Sequence, residues 1–226
     1  MLKLVPLILI VAYGLVLWQL SAWRLKGELD ARSTPLSDPA LDPVLGRLAR
    51  AAGVDRIPVS IYEVDPVNGL AAPDGRIFLT RGFYRKFRDG LVTAEEIASV
   101  VAHEMGHVAL GHARRRMIDF SGQNAVRVLL AGVLGRFLPG IGVMIANTAA
   151  SLLAARLSRR DEYEADKWAS ALLVRAGIGT APQKALLRRL GALAGRGASP
   201  PAWLMSHPAT ADRIAAIEAS ERKWNV

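Results

Sequence analysis

The chain contains no cysteine. That absence excludes disulfide staples and any cysteine-ligated zinc site, and it leaves the redox compartment open. Acidic residues fall short of basic ones, 20 against 29, which gives a formal net charge of +9. Nucleic acid is one explanation of such a balance. With only 6% aromatics, no aromatic–basic interleaving and no recognition motif, no nucleic-acid partner is expected. Attraction to anionic lipid headgroups accounts for the excess better, and an ordinary solvated basic surface accounts for much of it too. No internal repeat is present. The 226 residues suit one domain with appendages, long enough to bury a core.

Charge is also missing from Leu4 to Trp23. A helix of that length spans about 30 Å, the thickness of a bilayer core. Trp18 and Trp23 lie toward one end, as interfacial aromatics do, and Pro6 is tolerable in a first helical turn. A cleaved signal peptide is the rival reading, but the apolar core is long and no small-x-small site follows it. A single-pass N-terminal membrane anchor over residues 1–23 is therefore expected, with the lipid bilayer as a partner. Lys3 precedes the segment and Arg24, Lys26 and Arg32 follow it, which favours a cytoplasmic catalytic domain, with a periplasmic or extracytoplasmic one as the alternative.

What is present is concentrated in His103-Glu104-Met105-Gly106-His107. Two histidines four residues apart lie on one face of a helix, one turn from each other, so both rings can address one metal ion. Glu104 sits where a general base for the attacking water is needed, an arrangement that suits a zinc-dependent peptidase. Thr93 and Glu96 form a capping box, and Ile97, Val100, Val101, Met105 and Val108 recur at helical spacing. The spacing predicts a helix running to about Arg114, where Arg114, Arg115 and Arg116 meet the negative end of its dipole. His112 is one residue out of phase with the third histidine of metzincins and reads as a surface or supporting residue.

A catalytic zinc takes three protein ligands. Downstream, Glu162 and Asp166 share a helix face four residues apart. Glu162 can supply the third ligand while Asp166 holds a ligand histidine by its free ring N–H. An ordinary charged helix face has the same pattern, and Glu164 points elsewhere. Near the end, His207 precedes Pro208 at the mouth of a terminal helix that carries Arg213. A histidine and an arginine beside a carbonyl would stabilise a developing oxyanion; a surface His-Pro turn is the plainer reading.

Taken in order, HEMGH at 103–107, Glu162…Asp166 in RRDEYEAD, and His207-Pro208 with Arg213 in SHPATADR resemble the gluzincin group. That group includes the CAAX prenyl endopeptidases, the HtpX-type membrane stress proteases, the BepA-type periplasmic proteases and the Oma-type mitochondrial proteases. Asn68-Gly69-Leu70-Ala71 is similar to the edge-strand segment beside its cleft, which usually reads Asn-Ala-Phe-Ala. The resemblance covers roughly residues 40–220. It implies one Zn2+ per chain on His103, His107 and Glu162, with Glu104 as base and Asp166 orienting a ligand histidine. His207 and Arg213 would face the substrate carbonyl, although in some relatives the matching histidine occupies the open zinc position.

The expected fold is α+β, mainly α: a zincin-like domain over 41–226 with a small antiparallel sheet over the active-site helix, plus the N-terminal transmembrane helix. Residues 24–40 read as a polar juxtamembrane linker and Leu41 to Ala52 as an amphipathic helix. Pro58 to Val64 and Arg76 to Thr80 read as strands. An edge strand there could take a peptide by strand addition. Residues 125–157 read as an apolar helical hairpin, broken at Leu138-Pro139-Gly140, that enters the bilayer or shields the cleft. Residues 167–190 continue as helix, and a last helix covers about Ala209 to Lys223. The expected function is membrane-anchored zinc endopeptidase of envelope or membrane protein quality control, acting on misfolded or membrane-proximal polypeptides. The alternative is a latent or non-cleaving chaperone or adaptor built on the same zinc fold.

Overall fold

The computed structural model describes residues 5–72, 74–116, 131–132, 135–138, 141–194, 207 and 211–225. Two compact units emerge, one from Met1–Gly27 with Gly111–Asp161, the other from Glu28–Leu110 with Glu162–Val226.

The first unit holds most of helix α1 (Val5–Ala31) and the first part of a long helix that starts at Gly142. Residues 112–116 form a short helical segment in which His112 is buried rather than at the surface, beside Asp161. Arg115 and Arg116 both reach that Asp161 carboxylate. Among the described residues no helix is long and apolar enough to cross a membrane. The side chains of much of Leu4 to Trp23 lie outside the described residues, as does most of the 125–157 hairpin before Gly142.

The second unit carries the sheet. The stretch expected as a linker is ordered: α1 continues to Ala31, and Ser33–Pro35 forms strand β1. Leu29 is fully buried against Ala72 and Phe78, Asp30 pairs with Arg76, and β1 lies antiparallel to β2. After α2 (Asp42–Ala52) come β2 (Val59–Tyr62), β3 (Gly69–Ala71) and β4 (Ile77–Thr80), in the spatial order β1-β2-β4-β3. The sheet is therefore mixed, not antiparallel. From β2 the chain passes to the outer edge as β3 and doubles back as β4, so β4 slots beside β2 in the same direction. β3 is left as an edge strand, in keeping with the resemblance.

Thr80 ends the sheet and caps α3 (Arg81–Arg88), accepting from the Phe83 N–H; it also ties the start of β3 by hydrogen bonds with the Asn68 backbone. Helix α4 (Ala94–Ala109) begins with the expected capping box of Thr93 and Glu96. It stops one turn earlier than the arginines suggested. Gly111 takes a left-handed φ of 64°, which closes a helix at no steric cost and re-aims the chain before Arg114.

Helix α5 (Gly142–Arg175) is followed by a turn through Ala176 to Gly179, then α6 (Ala181–Ala194) and α7 (Ala211–Trp224). The core of this unit joins Leu48 of α2, Ile61 and Leu79 of the sheet, Ile97 and Val101 of α4, Leu173 of α5 and Leu187 of α6. Burying each such side chain contributes about 1.5–3 kcal/mol. α4 is the central helix of that core, so the residues on its remaining faces are held rigidly.

Candidate metal centre

α4 presents His103, Glu104 and His107 to the interior; all are buried. α5 runs alongside closely, because residue 106 is glycine: a Cβ there would stand 3.0 Å from the Ala165 carbonyl oxygen. That approach brings Glu162 and Asp166, both buried, to the histidines. His207 arrives from the chain before α7, and Arg213 from its first turn.

The His103 Nδ1–H donates to the Asp166 carboxylate at 3.0 Å, which turns Nε2 inward. That Nε2 lies 3.1 Å from the His107 Nε2 and 3.3 Å from Glu162 Oε2, while the His107 Nε2 lies 3.4 Å from Glu162 Oε1. Tetrahedral ligands at zinc-like bond lengths stand about 3.3–3.4 Å apart. The three side chains thus mark one face of such a tetrahedron. The fourth position is approached by the His207 Nδ1, 3.0 Å from both Glu162 oxygens and 3.4 Å from the His103 Nε2. Ligand atoms of His103, His107, Glu162 and His207 all lie within 4.8 Å of one another. Glu164 stays out of this set.

Around these atoms the polar groups are closely satisfied. Arg213 donates from Nε and Nη2 to the two Asp166 oxygens at 2.6 and 2.8 Å, and its Nη1 lies 3.3 Å from Glu162. It is 2% exposed, so its guanidinium is directed at these carboxylates rather than into an open cleft. Gln183 of α6 donates to Asp166 and accepts from Ser170. Sequence reasoning missed both. Ser170 lies four residues after Asp166, on its helix face, and could have been found; nothing local singles out Gln183. One atom stands apart: Glu104 Oε1 is buried without a hydrogen bond, 3.5 Å from the His207 Nε2.

The two carboxylates dominate the electrostatics of the site. Burial alone would depress the His103 pKa, but hydrogen bonds to Asp166 and Glu162 prevail and push it up to about 9. Burial holds His107 below its ordinary value, with repulsion from His103 added, against the pull of Glu162. Burial opposes ionisation of Glu162, yet hydrogen bonds with three histidines hold its carboxyl far below the usual range. Asp166 is likewise brought down to about 2, chiefly by Arg213 and His103 working against burial. In the metal-free site two ionised carboxylates are balanced by Arg213 and by a His103 that retains its proton, and a bound cation would take the place of that proton. Neutral imidazole and carboxylate donors, with an orphaned carboxylate oxygen alongside, fit a zinc ion; imidazole also suits other divalent metals.

Residues 35–221 match Peptidase family M48. The chain is 33% identical over 197 residues to Metalloprotease LoiP of Escherichia coli (strain K12), covering 82% of this chain and 73% of that protein. It is 28% identical over 214 residues to Protease HtpX of Pseudomonas aeruginosa, covering 77% and 70%. It is also 26% identical over 201 residues to a putative beta-barrel assembly-enhancing protease of Vibrio cholerae, covering 84% of this chain and 41% of that one.

Proposed function

The chain belongs to peptidase family M48 and is a zinc metalloprotease, and on that premise we propose that it holds one zinc per chain on His103, His107 and Glu162 and cleaves misfolded or membrane-proximal polypeptides of the cell envelope. The observation that carries the ligand assignment is the set of three separations, 3.1, 3.3 and 3.4 Å, among two ring nitrogens and one carboxylate.

Zinc, when bound, supplies the Lewis acid that polarises a scissile carbonyl and acidifies water. The chain's residues supply the rest. Glu104 Oε1, which accepts no hydrogen bond and faces the His207 Nε2 at 3.5 Å, would take the proton of the attacking water and pass it to the leaving amine. Asp166 fixes the His103 tautomer through Nδ1 and keeps Nε2 available, and Arg213 fixes Asp166. Arg213 therefore acts on the site through Asp166 and Glu162, in place of the direct contact with substrate expected from the sequence. β3, whose one strand partner among the described residues is β4, presents its other edge to an extended peptide.

A second reading concerns His207. Its Nδ1 lies 3.0 Å from both Glu162 oxygens and 3.4 Å from the His103 Nε2, so it would be a fourth ligand to a bound zinc, which favours a closed, latent state in which this ring swings away before substrate enters. The uncharged stretch from Leu4 to Trp23 supports a membrane anchor, and the basic residues after it support a catalytic domain on the cytoplasmic face.

The test is zinc content and cleavage of an unfolded model protein by the full chain. Wild type should carry about one zinc and cut, and a chelator should stop it. Glu104→Gln should keep its zinc and lose about 10²–10⁴-fold in turnover. His207→Ala should keep zinc and cut faster than wild type. A Glu104→Gln enzyme that cuts normally would remove Glu104 from the reaction.

A further inference from the structure

Two cavities of the second unit flank the end of α2 and contain none of the metal-site residues. The first, of about 420 Å3, is lined by Arg47, Arg50 and Arg175 over Ala51 and Ala176. The second, of about 240 Å3, is apolar, walled by Ile57, Met105, Val108 and Trp168 with Ala52, and Arg56 is the charged residue among its lining. The two share the last turn of α2, since Ala51 lines one and Ala52 the other. They also share one face of α5. Trp168 and Arg175 are seven residues apart, so they point the same way with about 10.5 Å of helix between them.

The charge around the first cavity is unbalanced. Arg50 lies in the last turn of α2 and Arg175 in the last turn of α5, where helix dipoles favour cations. Two helix ends amount to about one negative charge. Glu95 adds a second, 3.9 Å from Arg47, against three guanidiniums. Among the described residues Arg50 and Arg175 have no ion-pair partner, and both are exposed. A positive charge of about one is left facing a concavity, next to an apolar pocket whose own charged lining residue is also an arginine.

We propose that these cavities form one binding site for an anionic phospholipid, with the phosphate against Arg47, Arg50 and Arg175 and an acyl chain in the pocket beside Trp168. Guanidinium forks match phosphate oxygens bidentately, and three of them around one concavity suit a headgroup phosphate. The spacing from Arg175 to Trp168 lets one molecule satisfy both halves. Met105 lies about 200° around α4 from His103, so the lipid sits across that helix from the metal site. Lipid here would brace the helix that carries His103, Glu104 and His107 without touching them.

The experiment uses the full chain in neutral detergent, titrated with dihexanoyl phosphatidylglycerol. The readout is the part of the tryptophan emission that Trp168→Phe removes. A saturable blue shift is expected. Dihexanoyl phosphatidylcholine should need about tenfold or more higher concentration, and so should phosphatidylglycerol acting on the Arg50→Ala/Arg175→Ala double variant. Zinc content should be the same in both proteins. Raising salt should weaken the wild-type response to the anionic lipid, a check that needs no variant. Equal response to both headgroups overturns the proposal. So does a response that survives the double substitution, and so does the same response from inorganic phosphate alone, which would mark a plain phosphate site.

Discussion

The two sides of α4 are built on opposite plans. One side packs His103, His107 and Glu104 against two carboxylates, a third histidine and a buried arginine, and nearly every polar atom there has a partner. The other side shows Met105, Val108 and Ala109 to an apolar pocket. The polar side is close-packed and electrostatically committed; Val108 on the apolar side is 40% exposed. Buried charges persist only when each is paired, so removing one member of the polar side strands the others. An apolar wall has no such coupling, and its residues are changed one at a time at small cost. One rigid helix can thus keep a reaction centre fixed on one face while leaving the opposite face free to hold a ligand.

The contrast is broken most sharply at Arg213. Replacing it with Met takes two charged hydrogen bonds from buried Asp166, leaving it the protonated His103 and Gln183, and should destabilise the metal-free chain by about 3–5 kcal/mol, read as the shift in a denaturant midpoint. A loss below about 1 kcal/mol would mean that the polar side is not electrostatically committed. Next comes pH. The His103 pKa stands at about 9 without metal, so below that pH the ring holds a proton which an incoming zinc must displace. Apparent zinc affinity should rise about tenfold per pH unit up to about 9 and then flatten. In the metal-free chain the sign is reversed. A raised folded-state pKa gives stability that is complete below the unfolded value of about 6.5 and is lost as pH rises through about 9. Chelator competition and denaturant midpoints at several pH values check the two slopes. The smallest effect belongs to the apolar side. Val108→Ser should change zinc affinity by less than about twofold and stability by about 0.5 kcal/mol, because it is a half-exposed wall residue.

The polar side was largely legible in the sequence, because its signals are local. The capping box at Thr93 and Glu96, the two histidines four apart and the Glu162–Asp166 pair are all statements about one helix face, and the structure brings those faces together. What failed was non-local. The parallel pairing of β2 with β4 depends on the excursion through β3, which no strand pattern encodes. Gln183 reaches Asp166 only because α6 packs there. Spacing along α7 likewise does not say that the long Arg213 side chain meets Asp166 and Glu162. The early stop of α4 follows from Gly111, whose left-handed φ outweighs the pull of the arginines beyond it on the helix end.

The most direct measurement is X-ray absorption at the zinc edge on the zinc-loaded full chain and its His207→Ala variant. The expected wild-type spectrum has nitrogen and oxygen neighbours, with three imidazoles from His103, His107 and His207. The variant should keep one zinc and show two imidazoles. A variant that loses its zinc, or that keeps the same imidazole count, would contradict a centre built on His103, His107 and Glu162 with His207 at the fourth corner.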